Sequence, residues 1–213
     1  MSADCCDAKV VDLAVAAHRS DVRRVLIIAL ALNAAMFVAE FGAGLIAQSA
    51  ALMADSADML GDAMVYAVSL YALDKSSRWR SGAALFKGGF ILLLGLGVLW
   101  QIYHKIAFGV TPSSLLMLIF GALALAVNLL CLGLLWRFKD DNINLSSTFE
   151  CSRNDVIANT GVIAAAGAVA LTDSPWPDIV IAGIIAFLFL RSALRVILEA
   201  WPQYRSAAPL SVK

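Results

Sequence analysis

The chain has 213 residues, of which 61% are hydrophobic and 15% are charged, and its mean hydropathy is +0.82. Soluble globular domains carry about 45–50% apolar and about 25% charged residues, so this composition excludes a soluble domain. It also excludes a disordered chain and a small disulfide-stabilised scaffold. The 16 basic and 16 acidic residues balance, which gives no indication of nucleic-acid binding. We therefore predict an all-α membrane protein.

Six apolar stretches long enough to cross a bilayer as helices follow one another along the chain. They cover residues 25–47, 50–73, 83–103, 114–136, 151–172 and 178–197. We interpret the first as a retained span rather than a signal peptide, because it follows 24 mostly polar residues and contains Asn33 and Glu40. The predicted organisation is a cytoplasmic segment at 1–24, a six-helix transmembrane domain at 25–200 and a short cytoplasmic tail at 201–213.

The distribution of basic residues predicts the orientation of these spans. Fifteen of the sixteen lysines and arginines lie before the first span, toward or beyond the end of the last, or in and around the connections that follow the second and fourth spans. Lys105 is the single basic residue on the opposite side. By the positive-inside rule, both termini are predicted to be cytoplasmic. Since no targeting segment is apparent, we expect a multi-pass protein of a bacterial inner membrane.

The second apolar stretch carries three carboxylates, Asp55, Asp58 and Asp62, with no basic residue nearby. At 100° per residue they lie within an arc of about 60° on one helix face. A carboxylate at the bilayer centre costs about 2.5–3.5 kcal/mol on insertion scales, so three cost of order 10 kcal/mol if simply summed. A bound cation, protons or a water-filled cavity must offset this cost. Asp55 alone also fits a protonated group that hydrogen-bonds to a neighbouring helix.

The fifth stretch supplies a matching pair, Cys151 and Asp155, four residues apart and hence on one helix face. Their depths overlap those of Asp58 and Asp62 if the fifth helix begins near Asn144, earlier than its apolar core. Three carboxylates and one thiol are then able to enclose a tetrahedral dication. Zinc accepts both carboxylate oxygen and thiolate sulfur, whereas magnesium and calcium seldom bind sulfur. These four side chains are the predicted metal ligands.

Three further polar residues lie at membrane depth near this pair of helices: Asp55, Glu40 and Asn159. Such residues either join helices by hydrogen bonds or line a water-filled path. We favour helix joining for Asn159, and Glu40 fits either role. All three are candidates for supporting the metal site or for carrying protons to it.

Two of the remaining three cysteines lie near the N-terminus, and the third lies in the fourth apolar stretch. Cys5 and Cys6 are adjacent on the predicted cytoplasmic side, where disulfides are rare, and are candidates for capturing a soft metal ion. Cys131 shares its face of the fourth span with no polar residue, so we interpret it as a small buried hydrophobic side chain.

Three segments of the chain resemble the cation diffusion facilitator family. They are AEFGAGLIAQSAALMADSADMLGDA, CSRNDVIANTGV and the turn WPD, and the likeness extends over about residues 25–200. The most specific element is a paired motif in spans two and five, a histidine or aspartate followed four residues later by aspartate. Asp58 and Asp62 match the first pair, and Cys151 and Asp155 stand at the positions of the second. The resemblance implies a six-span antiporter of divalent metal ions and protons, with both termini cytoplasmic and no enzymatic activity.

Two departures from the family pattern alter the expectation. The family has histidine or aspartate where Cys151 stands, and a thiol shifts preference toward softer ions. We expect zinc as the transported ion, with cadmium and cobalt as alternatives, and no prosthetic group. Family members also carry a cytoplasmic C-terminal domain that holds a dimer, so the chain is expected to be a short form whose homodimer forms through membrane helices in contact with lipid.

Two other classes of protein also place carboxylates inside a membrane. A non-transporting metal-binding or regulatory subunit remains the alternative, because it needs the same ligands. An intramembrane aspartyl protease is disfavoured, because the sequence lacks a Tyr-Asp pair and residue 59, two before Gly61, is methionine rather than glycine.

Overall fold

The computed structural model describes residues 20–71, 77–136 and 143–206, and at a few helix positions, 143–152 among them, it describes the backbone alone. The described residues form six helices. These are α1 (Ser20–Ala47), α2 (Ala50–Tyr71), α3 (Ser77–Phe108), α4 (Ser114–Trp136), α5 (Ile143–Thr172) and α6 (Trp176–Ser206). The predicted all-α fold is confirmed.

Most helices are longer than the apolar stretches that predicted them. Only α4 coincides with its stretch, whereas α1, α3, α5 and α6 continue for several residues into polar sequence. A helix satisfies its own backbone hydrogen bonds and can continue past the hydrocarbon layer, where hydropathy no longer marks it. The early start of α5, at Ile143, fulfils the condition that the depth comparison between spans two and five required.

Five of the described helices are long and apolar enough to cross a membrane: α1, α3, α4, α5 and α6. The sixth, α2, has suitable length but carries Asp55, Asp58 and Asp62. Its position in a membrane therefore depends on partners for its carboxylates rather than on its own hydropathy. The count of six spans and the cytoplasmic termini stay predictions.

Three connections meet at one end of the helix bundle, which we call the turn end. They are the connections at residues 48–49, 109–113 and 173–175. The backbone N–H of Ser113 donates to the carbonyl of Ala47 (3.0 Å), and the Thr111 hydroxyl donates to the carbonyl of Asp173 (3.5 Å). Because alternate connections meet at the same end, each helix runs antiparallel to its neighbour in the chain.

The largest buried cluster lies in the half of the bundle nearest the turn end. It is built mainly from small side chains of α1, α2, α5 and α6: Ala43, Ala47, Ala50, Ala51, Ala54, Ala165, Ala166, Ala182 and Ala186. In lipid, helices associate through close packing of small residues rather than through hydrophobic burial. Close packing here brings α2 near α5 and α6.

Glycines bring α3 and α6 into close contact. A Cβ atom added at Gly88 would lie 2.7 Å from Cγ1 of Ile197 and 3.3 Å from the carbonyl oxygen of Ala193. At Gly95 an added Cβ would overlap the side chain of Leu190. The next residue after Gly88, Gly89, is exposed and has nothing within 4 Å of such an atom.

Gly88→Ala is expected to destabilise the protein by about 1–3 kcal/mol, the usual cost of overpacking, because the backbone of α6 limits relief of the clash. Gly89→Ala is the matched control and should be neutral or stabilising by up to about 1 kcal/mol, from helix propensity. Thermal unfolding in detergent, followed by tryptophan fluorescence, measures both. Equal melting temperatures for the two variants would contradict the close α3–α6 packing.

Candidate metal centre

The start of α2 is fixed by a capped and buried first turn. The Ser49 hydroxyl accepts a hydrogen bond from the N–H of Leu52 (3.1 Å), and the Ser49 carbonyl accepts one from Met53 (3.3 Å). Serine at this position satisfies backbone donors that the helix cannot satisfy itself. Asp58 and Asp62 follow about two and three turns into the helix, at 3.6 residues per turn.

A buried asparagine sets the register of α5 against α2. The side-chain amide of Asn159 donates to Oδ1 of Asp55 (3.4 Å) and to the carbonyl of Asp155 on its own helix (2.9 Å). Asn159 is fully buried. This contact places Asn159 at the depth of Asp55 and confirms that Asn159 joins two helices.

The two motif pairs have matching depths in this register. Asp58 and Asp155 lie about 4.5 and 6 Å further from the turn end than Asp55 and Asn159, at 1.5 Å per residue. Asp62 and Cys151 lie about 10.5 and 12 Å further on the same measure. Each pair therefore differs in backbone depth by only about 1.5 Å, because α2 and α5 run in opposite directions.

The exposure of the carboxylates differs along this stretch. Asp58 and Asp155 are half-buried, and Asp62 is buried. Within the described part of the chain, no three histidine, cysteine, aspartate or glutamate side chains are grouped as metal ligands. The side chain of Cys151 lies outside that part, so the set of four ligands stays a prediction. Cys5 and Cys6 also lie outside the described residues.

Glu40, Asp55 and Asn159 form a buried group that we call the Glu40 cluster. Glu40 is fully buried on α1, and its carboxyl group lies within hydrogen-bonding reach of the Asp55 carboxyl group. Among the described residues, no donor reaches either oxygen of Glu40, Oδ2 of Asp55 or Oδ1 of Asn159. Two adjacent carboxyl groups can share a hydrogen bond only if one of them carries a proton. The cluster is thus suited to hold a proton or another cation.

The sequence analysis missed a second polar network, centred on Asp178 in the first turn of α6. Its carboxylate accepts hydrogen bonds from the Ser49 hydroxyl (2.6 Å), the N–H groups of Ala50 (3.0 Å) and Ala51 (3.1 Å), and the ammonium of Lys105 (2.7 Å). Lys105 and Asp178 are both fully buried. The sequence offered one signal for this network: Lys105, the single basic residue on its predicted side of the membrane, and Asp178 both lie at the same predicted end of the bundle.

Cys131 and Asn33 connect α1 to α4, and Cys131 lies within electrostatic range of Asp62. Cys131 is buried, and its sulfur accepts a hydrogen bond from the Asn33 side-chain amide (3.7 Å). Asn33 also donates to the carbonyl of Ala29 (2.9 Å). The interpretation of Cys131 as a packing residue is confirmed.

Comparison with known proteins identifies relatives over most of the chain. The family model described as the cation efflux transmembrane domain matches residues 26–203. The metal cation efflux system protein CzcD of Cupriavidus metallidurans is 28% identical over 204 residues, which cover 87% of this chain and 65% of the relative. The zinc transporter ZitB of Yersinia pestis is 25% identical over 200 residues, covering 88% of this chain and 64% of the relative.

A third relative, named a cadmium, cobalt and zinc/H(+)-K(+) antiporter, comes from Bacillus subtilis. It is 24% identical over 188 residues, which cover 82% of this chain and 60% of the relative. The chain thus spans 60 to 65% of the length of these three relatives.

Glu40→Gln is expected to raise the melting temperature in metal-free buffer. Glutamine provides an N–H donor for Oδ2 of Asp55 and removes one of two adjacent acidic groups. A gain of about 1 kcal/mol corresponds to a rise of about 2–4 °C for a chain of this size. Glu199→Gln, at an exposed position of α6, is the control and should leave the melting temperature unchanged. A lower melting temperature for Glu40→Gln than for the wild type would contradict the premise that no hydrogen-bond donor reaches the carboxylate oxygens of Glu40.

Proposed function

Since the chain belongs to the cation efflux family, the cation diffusion facilitators, we propose that it exports divalent metal ions from the cytoplasm in exchange for protons. The chain is a multi-pass integral protein of the bacterial inner membrane, as predicted. The observation that carries the proposal is the register between α2 and α5. The Asn159–Asp55 hydrogen bond brings Asp58 to the depth of Asp155 on two helices that contact each other.

The transported ion binds to Asp58, Asp62, Cys151 and Asp155 in this proposal. The matched backbone depths and the family motif support that ligand set. Three carboxylates and a thiolate favour zinc, with cadmium and cobalt as alternatives, since these ions accept both oxygen and sulfur. The names of the relatives refer to the same three metals.

Exchange with protons follows from the chemistry of the ligands. A metal ion binds carboxylates and thiols in their deprotonated forms, so its arrival from the cytoplasm displaces protons. Rearrangement of the helices then opens the site to the other side of the membrane. Protons from that side rebind to the ligands, weaken coordination and release the ion.

The Glu40 cluster serves this exchange as a proton site beside the metal ligands. Glu40 and Asp55 together hold one proton that neither group can hold as favourably alone. Asn159 links them to the carbonyl of Asp155, and so to the backbone of a proposed ligand. Support comes from the unpaired oxygens of the cluster in the described part of the chain.

Two features of assembly belong to the same proposal. The turn end faces away from the cytoplasm, because fifteen of the sixteen basic residues belong to the opposite side.

Two copies associate through their membrane helices, surrounded by lipid. A cross-link between copies in the native membrane is the direct measure of this association.

Asp155→Asn is expected to abolish coupled transport in proteoliposomes that report internal metal and pH together. The amide retains the size of the side chain but loses the charge that binds the dication. Removing a hydrogen-bond partner of a metal ligand already lowers metal affinity or activity about 10- to 100-fold. Removing the charge of the ligand itself should therefore lower flux at least about 100-fold.

The matched control for this experiment is Asp173→Asn, in the exposed turn before α6. Asp173 has a positive φ of 50°, which asparagine also adopts readily, so the control should transport normally. Full coupled flux in Asp155→Asn would contradict the proposed ligand set. Metal binding by the wild type without flux would identify a non-transporting metal-binding subunit instead.

Cys151→His is expected to shift the preference of the transporter from cadmium toward zinc. Imidazole nitrogen binds zinc well but lacks the affinity of thiolate sulfur for softer ions. The ratio of kcat/KM for the two ions, measured on one preparation, gives the shift, and Cys131→Ser, at the buried cysteine between α1 and α4, is the control. An unchanged ratio in Cys151→His would show that Cys151 is not a ligand.

A further inference from the structure

The buried pair of Asp178 and Lys105 has no part in the transport steps described above. It lies at the turn end, where α6 begins, α3 nears its end and α2 begins. Four donors converge on one carboxylate: a hydroxyl, two backbone N–H groups and an ammonium, at 2.6 to 3.1 Å. These bonds connect three helices through a single side chain.

The buried charges of the pair favour a closed contact between the three helices. The Asp178 carboxylate lies at the N-terminus of α2, where the helix dipole favours negative charge. The ammonium of Lys105 is fully buried and bonded to the same carboxylate (2.7 Å). Separating the pair leaves the Lys105 ammonium buried without a counter-ion, whereas Asp178 keeps its three other donors. Moving α3 away from α6 at the turn end therefore exposes or strands the ammonium, which stabilises the arrangement with all three helices together.

Burial closes the turn end of the bundle. At the turn end, Ala50, Ala51 and Leu52 are fully buried, as are both charges of the pair. Further from the turn end, Asp58 and Asp155 are half-buried, and Arg153 is exposed. The structure thus represents a state in which the turn end is closed and in which Asp58 and Asp155, deeper in the bundle, stay partly accessible.

From these observations we infer that Asp178, held by Lys105, is a positioning residue for transport that keeps the bundle closed at the turn end. It ties the first turn of α2 to α3 and α6, and so holds the α2 aspartates in the state that receives metal from the cytoplasm. Release on the other side requires this tie to break. The inference rests on the proposed function, since it assigns the pair a place in the transport cycle.

A measurable consequence follows from the relation between conformation and affinity. If the closed turn end defines the state that binds cytoplasmic metal, weakening the tie lowers the population of that state. The apparent dissociation constant rises in inverse proportion to that population. KM on the cytoplasmic face therefore rises, while the maximal rate, which requires the tie to open, does not fall in parallel.

Lys105→Met is the first variant to test, because it removes the ammonium and keeps a chain of similar length. The carboxylate of Asp178 retains its bonds to Ser49, Ala50 and Ala51, so the fold should persist. In inside-out vesicles with zinc supplied at the cytoplasmic face, we expect KM to rise about five- to tenfold, at the low end of typical conformational coupling. Lys87→Met, the same substitution at a half-buried position of the same helix, is the control and should leave KM unchanged.

Hydrogen–deuterium exchange of the metal-free protein in detergent gives a second readout that needs no transport. The N–H groups of Ala50 and Ala51 donate to Asp178, so Lys105→Met and Asp178→Asn should both speed exchange in a peptide covering residues 48–55. A peptide from α4 and the Lys87→Met variant should exchange as in the wild type. The double variant Lys105→Met/Asp178→Asn should exchange no faster than Asp178→Asn alone, because the pair acts as one unit.

The outcomes separate the inference from the proposed function. Flux by the wild type with an unchanged KM in Lys105→Met overturns the inference and leaves the proposed function standing. A fall in kcat alone, or exchange in residues 48–55 equal to that of the wild type, also overturns it. No flux by the wild type, together with faster exchange in Lys105→Met, overturns the proposed function and the role in transport but leaves the tie at the turn end in place.

Discussion

The start of α2 is the point on which the rest of this structure depends. Asp178 supplies acceptors for the first two backbone N–H groups of α2 and for the Ser49 hydroxyl, and Lys105 balances its charge. Every polar side chain of α2 is placed relative to that first turn, because a helix has a fixed rise and rotation per residue. An error at the turn end would move Asp58 and Asp62 in depth and in direction together.

The interior of the bundle pairs its polar groups in layers. The layer at the turn end contains a balanced pair of charges, and the next, the Glu40 cluster, contains two carboxyl groups and an amide with unpaired oxygens among the described residues. Only the second layer has an unmet requirement for a cation or a proton. A hydrogen-bond network in which every group is paired adds rigidity. A network with unpaired groups can instead gain or lose a proton or a cation, so the two layers differ in what they can contribute to transport.

The sequence predicted the elements that hydropathy and periodicity govern. Six helices among the described residues and the packing role of Cys131 are confirmed, because each depends on a pattern within one segment. The helix-joining role of Asn159 is confirmed as well, although the sequence did not predict which residue it joins. The Asp178–Lys105 pair could not be derived in that way, since it requires knowing that residues 73 positions apart in the chain meet at one depth. The partnership of Glu40 with Asp55 was missed for the same reason: periodicity gives the face of a helix but not the neighbour it meets.

The weak hydropathy of α2 has a consequence for biosynthesis. Three aspartates exclude α2 from the helices apolar enough to cross a membrane, whereas α1, joined to it by a two-residue corner, is apolar enough. We expect the two helices to enter the membrane as a hairpin, which brings Glu40 next to Asp55 as soon as α2 is made. The cap on α2 comes much later, because Asp178 lies 128 residues after Ala50. Until α6 leaves the ribosome, the first N–H groups of the helix that carries Asp58 and Asp62 have to find their acceptors in water.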